Sequence, residues 1–338
     1  MFFKKVRKSP GSARKKIFIL RPMRFSFFRQ RLLFVARAAL AGLYRLAFLL
    51  LKKTVYRKRD ALKARIVIVG SFLSGGAGKT PLVREFANAL SEKGLRVAVL
   101  CHSAAWDEFR MLRETCRASV LKTRNRYATA QRISQNFDVI LCDGGLEDTR
   151  FAGTDVFALR WNESAQKLLD LIPCGKCVSL EKDHPEAKEI FCSRTADNLY
   201  ATESGKLLNE NSWTVSFGIS TVQNADGRSL PAGVEGSLVT GIGDPVRFAK
   251  DVESFGLLVS KRVFLPDHFR GFAKVLRREL LKGLPVVITE KDFFRLENSE
   301  KENPRLFVAR EKVLVGSALA DYLNALAGGA FKNPPSTL

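Results

Sequence analysis

Residues 65–81, RIVIVGSFLSGGAGKTP, decide the fold. The first six form a near-continuous apolar run, the pattern of a strand buried on both faces of a parallel sheet. Small residues follow directly, then Lys79, Thr80 and Pro81. Proline suits an early helical position, where a missing N–H costs nothing. Strand, Gly-rich turn and helix in that order predict a phosphate-binding loop. Small residues let backbone N–H groups converge on phosphate oxygens, the lysine reaches the β- and γ-phosphates, and the threonine hydroxyl is a Mg²⁺ ligand. Ser74, Gly75, Gly76, Ala77, Gly78, Lys79 and Thr80 are therefore the expected ATP-binding residues. Leu73 stands where such loops usually carry their leading glycine.

Working outward, LRVAVL (95–100), FDVILCD (137–143) and DVFALR (155–160) repeat the apolar-run pattern, with helical spacing at 81–93 and 125–135 between them. Strands alternating with helices predict a doubly wound α/β domain built on a parallel sheet. Asp143 ends FDVILCD, where a loop of this kind needs an acid to hold Mg²⁺. Capping the turn at Gly144 and Gly145 is the structural alternative, and Glu147 and Asp148 either reinforce the metal site or face solvent. A second series comprises CVSL (177–180), WTVSFGI (213–219), SLVTGIG (237–243), RVFL (262–265) and PVVITEKD (285–292), and predicts a second, smaller α/β domain. The organisation expected is a basic tail at 1–31, a membrane-associated helix with its basic flank at 32–60, a P-loop core at 61–174, the second domain at 175–330 and a frayed tail at 331–338.

With 338 residues, 46% of them hydrophobic, the chain can bury a large core, so disorder as the whole answer is excluded. Six cysteines are too sparse for a disulfide scaffold and favour a reducing compartment. The net charge of +22 is concentrated at one end: residues 1–63 hold nine Lys and ten Arg against a single acid, Asp60. Between these basic clusters lies LLFVARAALAGLYRLAFLLL (32–51), interrupted only by Arg37 and Arg45. As a helix it is about 30 Å long. The two arginines share a broad face, so a helix lying in one leaflet is expected, its basic flanks on anionic phospholipid. A soluble core helix and an organelle targeting peptide are the alternatives. Nucleic acid is not expected as a partner, because the basic residues flank an apolar helix instead of lining an aromatic-studded groove.

Beyond the phosphate loop, three segments carry a resemblance: GIGDPVRF (241–248), FLPDHF (264–269) and VVITEKD (286–292). With GSFLSGGAGKTP (70–81), and in this order after an apolar helix, they make the chain similar to the tetraacyldisaccharide 4′-kinases. The resemblance implies ATP- and Mg²⁺-dependent phosphorylation of the acylated disaccharide precursor of lipid A. It further implies a peripheral or monotopic protein of the inner membrane with its catalytic domain cytoplasmic, and a monomer is expected. It carries a catalytic base over to Asp107, oriented by His268. Phosphoryl transfer to a sugar hydroxyl does need a proton acceptor. The bland readings are an acid at a helix start for Asp107 and a first-turn helix residue for His268.

The chain departs from the family pattern at three places. Cys101-His102-Ser103-Ala104 replaces a Ser-Arg-Gly-Tyr segment. Cys142-Asp143 replaces a double Asp, and Leu171-Ile172-Pro173-Cys174-Gly175-Lys176-Cys177 lacks the family's Arg-Glu pair. A noncatalytic relative and a membrane-associated regulatory ATPase are the competing functions; the latter class carries Lys where Ser74 stands. Asp244 and Pro245 read as a helix N-cap and first residue, with phosphate binding at that helix start as the alternative. Cys174 and Cys177 read as two reduced thiols at a turn, and His102 and His184 as solvated loop residues.

Overall fold

The computed structural model describes residues 23–57, 59, 61–151, 154–161, 166–194 and 213–328, with side chains from Arg31 onward. Most of the expected basic tail and all of the expected frayed tail lie outside them. In the first half the chain forms α1 (Met23–Thr54), β1 (Arg65–Ser71), α2 (Lys79–Glu92), β2 (Val97–His102), α3 (Trp106–Thr115), β3 (Ser119–Thr123), α4 (Arg126–Ile133), β4 (Val139–Asp143), β5 (Asp155–Arg160) and β6 (Ala187–Arg194). The second half adds β7 (Trp213–Gln223), β8 (Glu235–Thr240), α5 (Pro245–Ser254), β9 (Leu258–Phe264), α6 (Phe272–Leu280), β10 (Val286–Thr289), α7 (Glu290–Phe293), α8 (Asn298–Lys301), β11 (Leu306–Val315) and α9 (Ser317–Ala327).

The architecture is α/β, with helices covering a large, mostly parallel sheet in the order β3-β2-β4-β1-β5-β6-β7-β11-β10-β8-β9. Alternation along β1 sends Val67 and Val69 to one face, against Leu82, Phe86 and Leu90 of α2 and Leu319 and Leu323 of α9. It sends Ile66 and Ile68 to the other, against Tyr127 and Ala130 of α4. Three expectations need correction. CVSL is not a strand but part of a turn joined by isolated bridges, and β6 takes the place expected for it. The strands β3 and β11 were not expected. β3 is a half-exposed sheet edge, and Arg310-Glu311-Lys312 breaks the apolar pattern of β11.

The one antiparallel strand pair among the described residues, β7 with β11, joins the two sets of parallel strands. Its partners are offset along it. β6 ends where Arg194 pairs with Phe217 of β7, whereas β10 ends where Thr289 pairs with Ala309 of β11, opposite Val222 of β7. The two parallel sets run in opposite directions, so their carboxyl ends face each other across about 17 Å of ribbon between residues 217 and 222. A cleft therefore lies over the middle of the ribbon. The register shift at Arg310 and Glu311 falls at this point.

Helix α1 docks on the first half through its polar residues. Arg37 donates to the carbonyls of Pro173 (2.7 Å) and Cys174 (2.9 Å), and Tyr44 to that of Val178 (2.7 Å). Arg45 pairs with Asp183 at 2.6 Å. The two arginines inside the apolar run thus find partners in the protein, because carbonyls of the 173–178 turn and the Asp183 carboxylate lie beneath them. His184, expected to be solvated, is buried below α1 between the rings of Phe48 (5.5 Å) and Phe72 (6.1 Å). The opposite face of α1 carries exposed Leu40, Leu43, Leu46 and Leu50.

Asp183 keeps only 3% of its side chain exposed, so Arg45→Ala strands a buried carboxylate. We expect a loss of about 1–3 kcal/mol in chemical denaturation, and Arg45→Ala combined with Asp183→Ala should lie closer to wild type than the sum of the single changes.

Candidate phosphoryl-transfer site

Four segments that leave the carboxyl ends of strands meet in the cleft, the usual ligand position in open α/β sheets. Gly75 to Pro81 line it from the first half, with Glu108 of α3. Ile242, Gly243, Arg247, Glu290 and Lys291 line it from the second half, and Ile219 and Glu311 form its floor. Gly75, Gly76 and Gly78 all have positive φ, which only glycine adopts without strain. Close packing also demands them: a Cβ on Gly78 would meet the Phe217 ring at 2.7 Å, and one on Gly243 would meet the Gly76 nitrogen at 2.7 Å. The Trp161 indole donates to the Ala77 carbonyl at 3.0 Å. Ser74 stands apart from the cleft lining, its N–H donating to the Lys176 carbonyl at 2.8 Å.

Thr80 donates to Oδ2 of Asp143 at 2.9 Å, which brings the two expected metal ligands together. Oδ1 of Asp143 is buried with no hydrogen-bond partner. Burial first, and then the neighbouring Glu108 carboxylate, push Asp143 up to about 6. An orphaned carboxylate oxygen beside a hydroxyl and a second acid is a donor set that fits Mg²⁺. Asp148 is instead held by Arg150 at 2.6 Å, and Glu147 is exposed.

Asp107, at the start of α3, is fully buried. Oδ1 accepts from the Glu108 N–H at 3.0 Å and meets Nδ1 of His268 at 2.9 Å. Oδ2 accepts from Nε of Arg295 at 2.9 Å and from its Nη2, with Lys291 Nζ at 3.7 Å. Burial alone would raise the pKa of Asp107, but Lys291, Arg295 and His268 outweigh it and hold the group below the usual carboxylate range. His268 sits in a loop after β9 with φ of 57°, left-handed and strained for a side-chain residue. Asp107, Asp267 and His268 bring possible metal-ligand atoms within 4.8 Å of one another. Lys291 (3.3 Å from Asp267) and Arg295 already match their charge, which leaves no demand for a cation there.

The segment Glu290-Lys291-Asp292 gains a role for each residue. Glu290 binds Arg84 of α2 at 2.6 Å, Lys291 bridges Glu108 (3.1 Å) and Asp267, and Asp292 accepts from the Thr240 hydroxyl at 2.7 Å and the Gly241 N–H at 3.2 Å. Asp244 caps α5 by accepting from the Arg247 N–H at 3.1 Å, with Pro245 first in the helix. The plain structural reading of that pair therefore holds. Sequence reasoning missed Glu108, Arg84 and Arg295. The available signal for Arg295 was its position three residues beyond Asp292, one helical turn away on the same face.

The family model for tetraacyldisaccharide-1-P 4′-kinase matches residues 30–103 and 101–327. The chain belongs to this family. A curated tetraacyldisaccharide 4′-kinase of Halorhodospira halophila is 27% identical over 285 residues, covering 76% of this chain and 82% of that protein. One from Shewanella pealeana is 25% identical over 311 residues, covering 83% and 87%. Among solved structures, an Aquifex aeolicus LpxK crystallised in complex with ATP shares the fold with a TM-score of 0.64 at 18% identity, covering 87% of this chain and 99% of that one. Kinase and transferase are thus the class to which the site belongs, and low identity marks this chain as a divergent member.

In this kinase Arg295 keeps 2% of its side chain exposed, between Asp107 and Asp292, both fully buried. Arg295→Met should cost about 3–5 kcal/mol, because removing one partner of a buried pair strands the others. The pH dependence has a defined sign. A carboxylate whose pKa is lower in the folded chain adds stability above its unfolded pKa and loses it as pH falls through the folded value. Melting temperature measured from neutral pH down through the carboxylate range should fall for wild type, and fall less steeply for Arg295→Met.

Proposed function

We propose that this kinase transfers the γ-phosphoryl group of ATP to the 4′-hydroxyl of the tetraacylated glucosamine disaccharide 1-phosphate precursor of lipid A. The observation that carries this reading is one cleft holding both halves of the chemistry. The phosphate loop with its Thr80–Asp143 contact lies on one side, and the Asp107–His268 pair on the other. They are close: a Cβ on Gly75 would sit 3.7 Å from Asp267, the residue before His268. The backbone of the phosphate loop and Lys79 receive the β- and γ-phosphates, and the Asp107–His268 pair takes the acceptor proton. Thr80 and Asp143 would hold Mg²⁺, which supplies charge neutralisation on the phosphates when bound. A noncatalytic relative would have no need to hold Asp107 ionised against His268. Ser74, where a regulatory ATPase of the deviant type carries Lys, disfavours that class.

The acceptor is a lipid, and α1 supports a matching location. Its Arg31–Thr54 part is long and apolar enough to cross a membrane, and only 11% of its apolar window is buried in the molecule. With its arginines engaged by the protein, the helix turns aliphatic side chains outward, as a helix lying in an interface does. We place the protein peripherally or monotopically at the cytoplasmic face of the inner membrane, as a monomer on anionic phospholipid.

Three outcomes follow from this reading. With detergent-dispersed disaccharide 1-phosphate and labelled ATP, wild type should form the 4′-phosphate, and Lys79→Ala should lose at least about 10²-fold in kcat while remaining folded. Asp143→Ala should raise the Mg²⁺ concentration needed for half-maximal turnover. Changing Leu43, Leu46 and Leu50 together to Gln should abolish co-sedimentation with anionic vesicles and leave the melting temperature within a few degrees of wild type.

A further inference from the structure

We propose that the hollow between α5 and the carboxyl ends of β5 and β6 is a second anion site, which takes a phosphate group other than those held by the phosphate loop. Trp161, Arg194, Arg247, Lys250, Asp244 and Asp251 line it. Gly75 to Pro81 line the neighbouring cleft and none of them lines the hollow, whereas Arg247 and Asp251 face both. Its volume of about 430 Å³ lies within the roughly 300–1,000 Å³ of small-ligand sites.

The first argument is unused donors. Arg194 keeps 10% of its side chain exposed, and its Nη1 is engaged by the Asp251 carboxylate. Its Nε and Nη2 are buried with no hydrogen-bond partner among the described residues, and so is Nε of Arg247. Asp244 reaches that Nε only at 4.0 Å, beyond hydrogen-bond range. Buried charged donors without acceptors are costly, and each calls for an acceptor from outside.

The second argument is charge. Burial first, and then Arg247, pull the Arg194 guanidinium below its ordinary value, so two cations face each other without full compensation. Burial pushes Asp251 up to about 6, and it raises Glu311, the other acid within reach of Arg194 and Arg247. The exposed Lys250 adds a third positive charge at the rim.

The third argument is shape. The guanidinium carbons of Arg194 and Arg247 lie 5.1 and 4.6 Å from the centre of the Trp161 ring. Packing on one indole fixes two planar forks beside each other, and such forks bind phosphate oxygens in pairs. The indole N–H is itself spent on the Ala77 carbonyl, which holds this platform against the phosphate loop. Three orphaned guanidinium donors and an ammonium suit a group with three acceptor oxygens and nearly two negative charges. That phosphate has two sources: the 1-phosphate of the acceptor, which rests on the function proposed above, or free phosphate in solution.

The test is a calorimetric titration of inorganic phosphate into the full-length protein in detergent, with the phosphate loop filled by Mg²⁺ and a non-hydrolysable ATP analogue. Wild type should bind one further phosphate. Arg194→Gln and Lys250→Glu should each weaken it by at least about tenfold, as loss of a charged hydrogen bond does, with analogue affinity near wild type. Lys250 is exposed, so its variant decides the matter should Arg194→Gln fail to fold. Turnover with the disaccharide carrying or lacking its 1-phosphate separates the sources. A rise in KM in Lys250→Glu confined to the 1-phosphate form assigns the group to the acceptor, and unchanged KM with weakened inorganic phosphate assigns it to free phosphate. Neither a further phosphate nor a selective KM effect would overturn the inference. Loss of analogue binding in Lys250→Glu would overturn it too, by making the hollow part of the nucleotide site. Wild type failing to phosphorylate the disaccharide would overturn the proposed function instead, and the phosphate titration would then decide this site by itself.

Discussion

The structure depends on the offset of a two-stranded ribbon. Among the described residues β7 and β11 are the only antiparallel neighbours in the sheet, and each carries a parallel set on a different part of its length. If β6 and β10 met the ribbon at the same level, the carboxyl ends of the two sets would point away from each other. Because they meet it about 17 Å apart, those ends converge, and the segments after β1, β2, β8 and β10 are brought to one cleft. The glycines of the phosphate loop follow from this. Gly76 packs on Gly243 and Gly78 on Phe217, so the loop is shaped by the second half as much as by its own strand and helix.

Convergence brings acids together, and burial makes their pairing compulsory. Asp107 and Asp143 show two outcomes. Asp107 is given permanent cations, Arg295 and Lys291, and lies below the usual carboxylate range. Asp143 has no such partner at Oδ1, faces Glu108, and is pushed up to about 6. Two carboxylates driven apart by their surroundings are suited to separate tasks. One stays charged beside a histidine, and the other keeps an unpartnered oxygen at the phosphate loop.

Most of this fold was legible where residues act locally. The apolar runs of β1, β2, β4 and β5, the glycines and Lys79 of the loop, and the Asp244-Pro245 helix start all obey short-range rules. What escaped was set by distant neighbours. β3 lacks a continuous apolar run because one side of it is open, and β11 carries Arg310-Glu311-Lys312 where it forms the cleft floor. His184 reads as a polar loop residue until α1 is laid over it. Arg37 and Arg45 look like obstacles to lipid in the sequence, and their partners in the 173–183 segment lie more than 130 residues away. In the site, the same limit hid Arg295 and Glu108, whose contacts with Asp107 and Lys291 cross to the opposite half.

Cys142, where the family resemblance implies a second Asp, lies beside the site but not in it. Successive residues of β4 point to opposite faces. Asp143 turns to Thr80 and the cleft, whereas Cys142 packs with Ile66, Ile68 and Ile140 in the apolar layer covered by α4. Burial raises its thiol to about 12, so it stays neutral. An ionised carboxylate in that layer would need its own buried partner, and a thiol does not. Cys142 therefore places no charge behind the strand, and the cleft face is left to Asp143. There Glu108, reaching in from α3 and held by Lys291 at 3.1 Å, supplies a second acid beside Asp143.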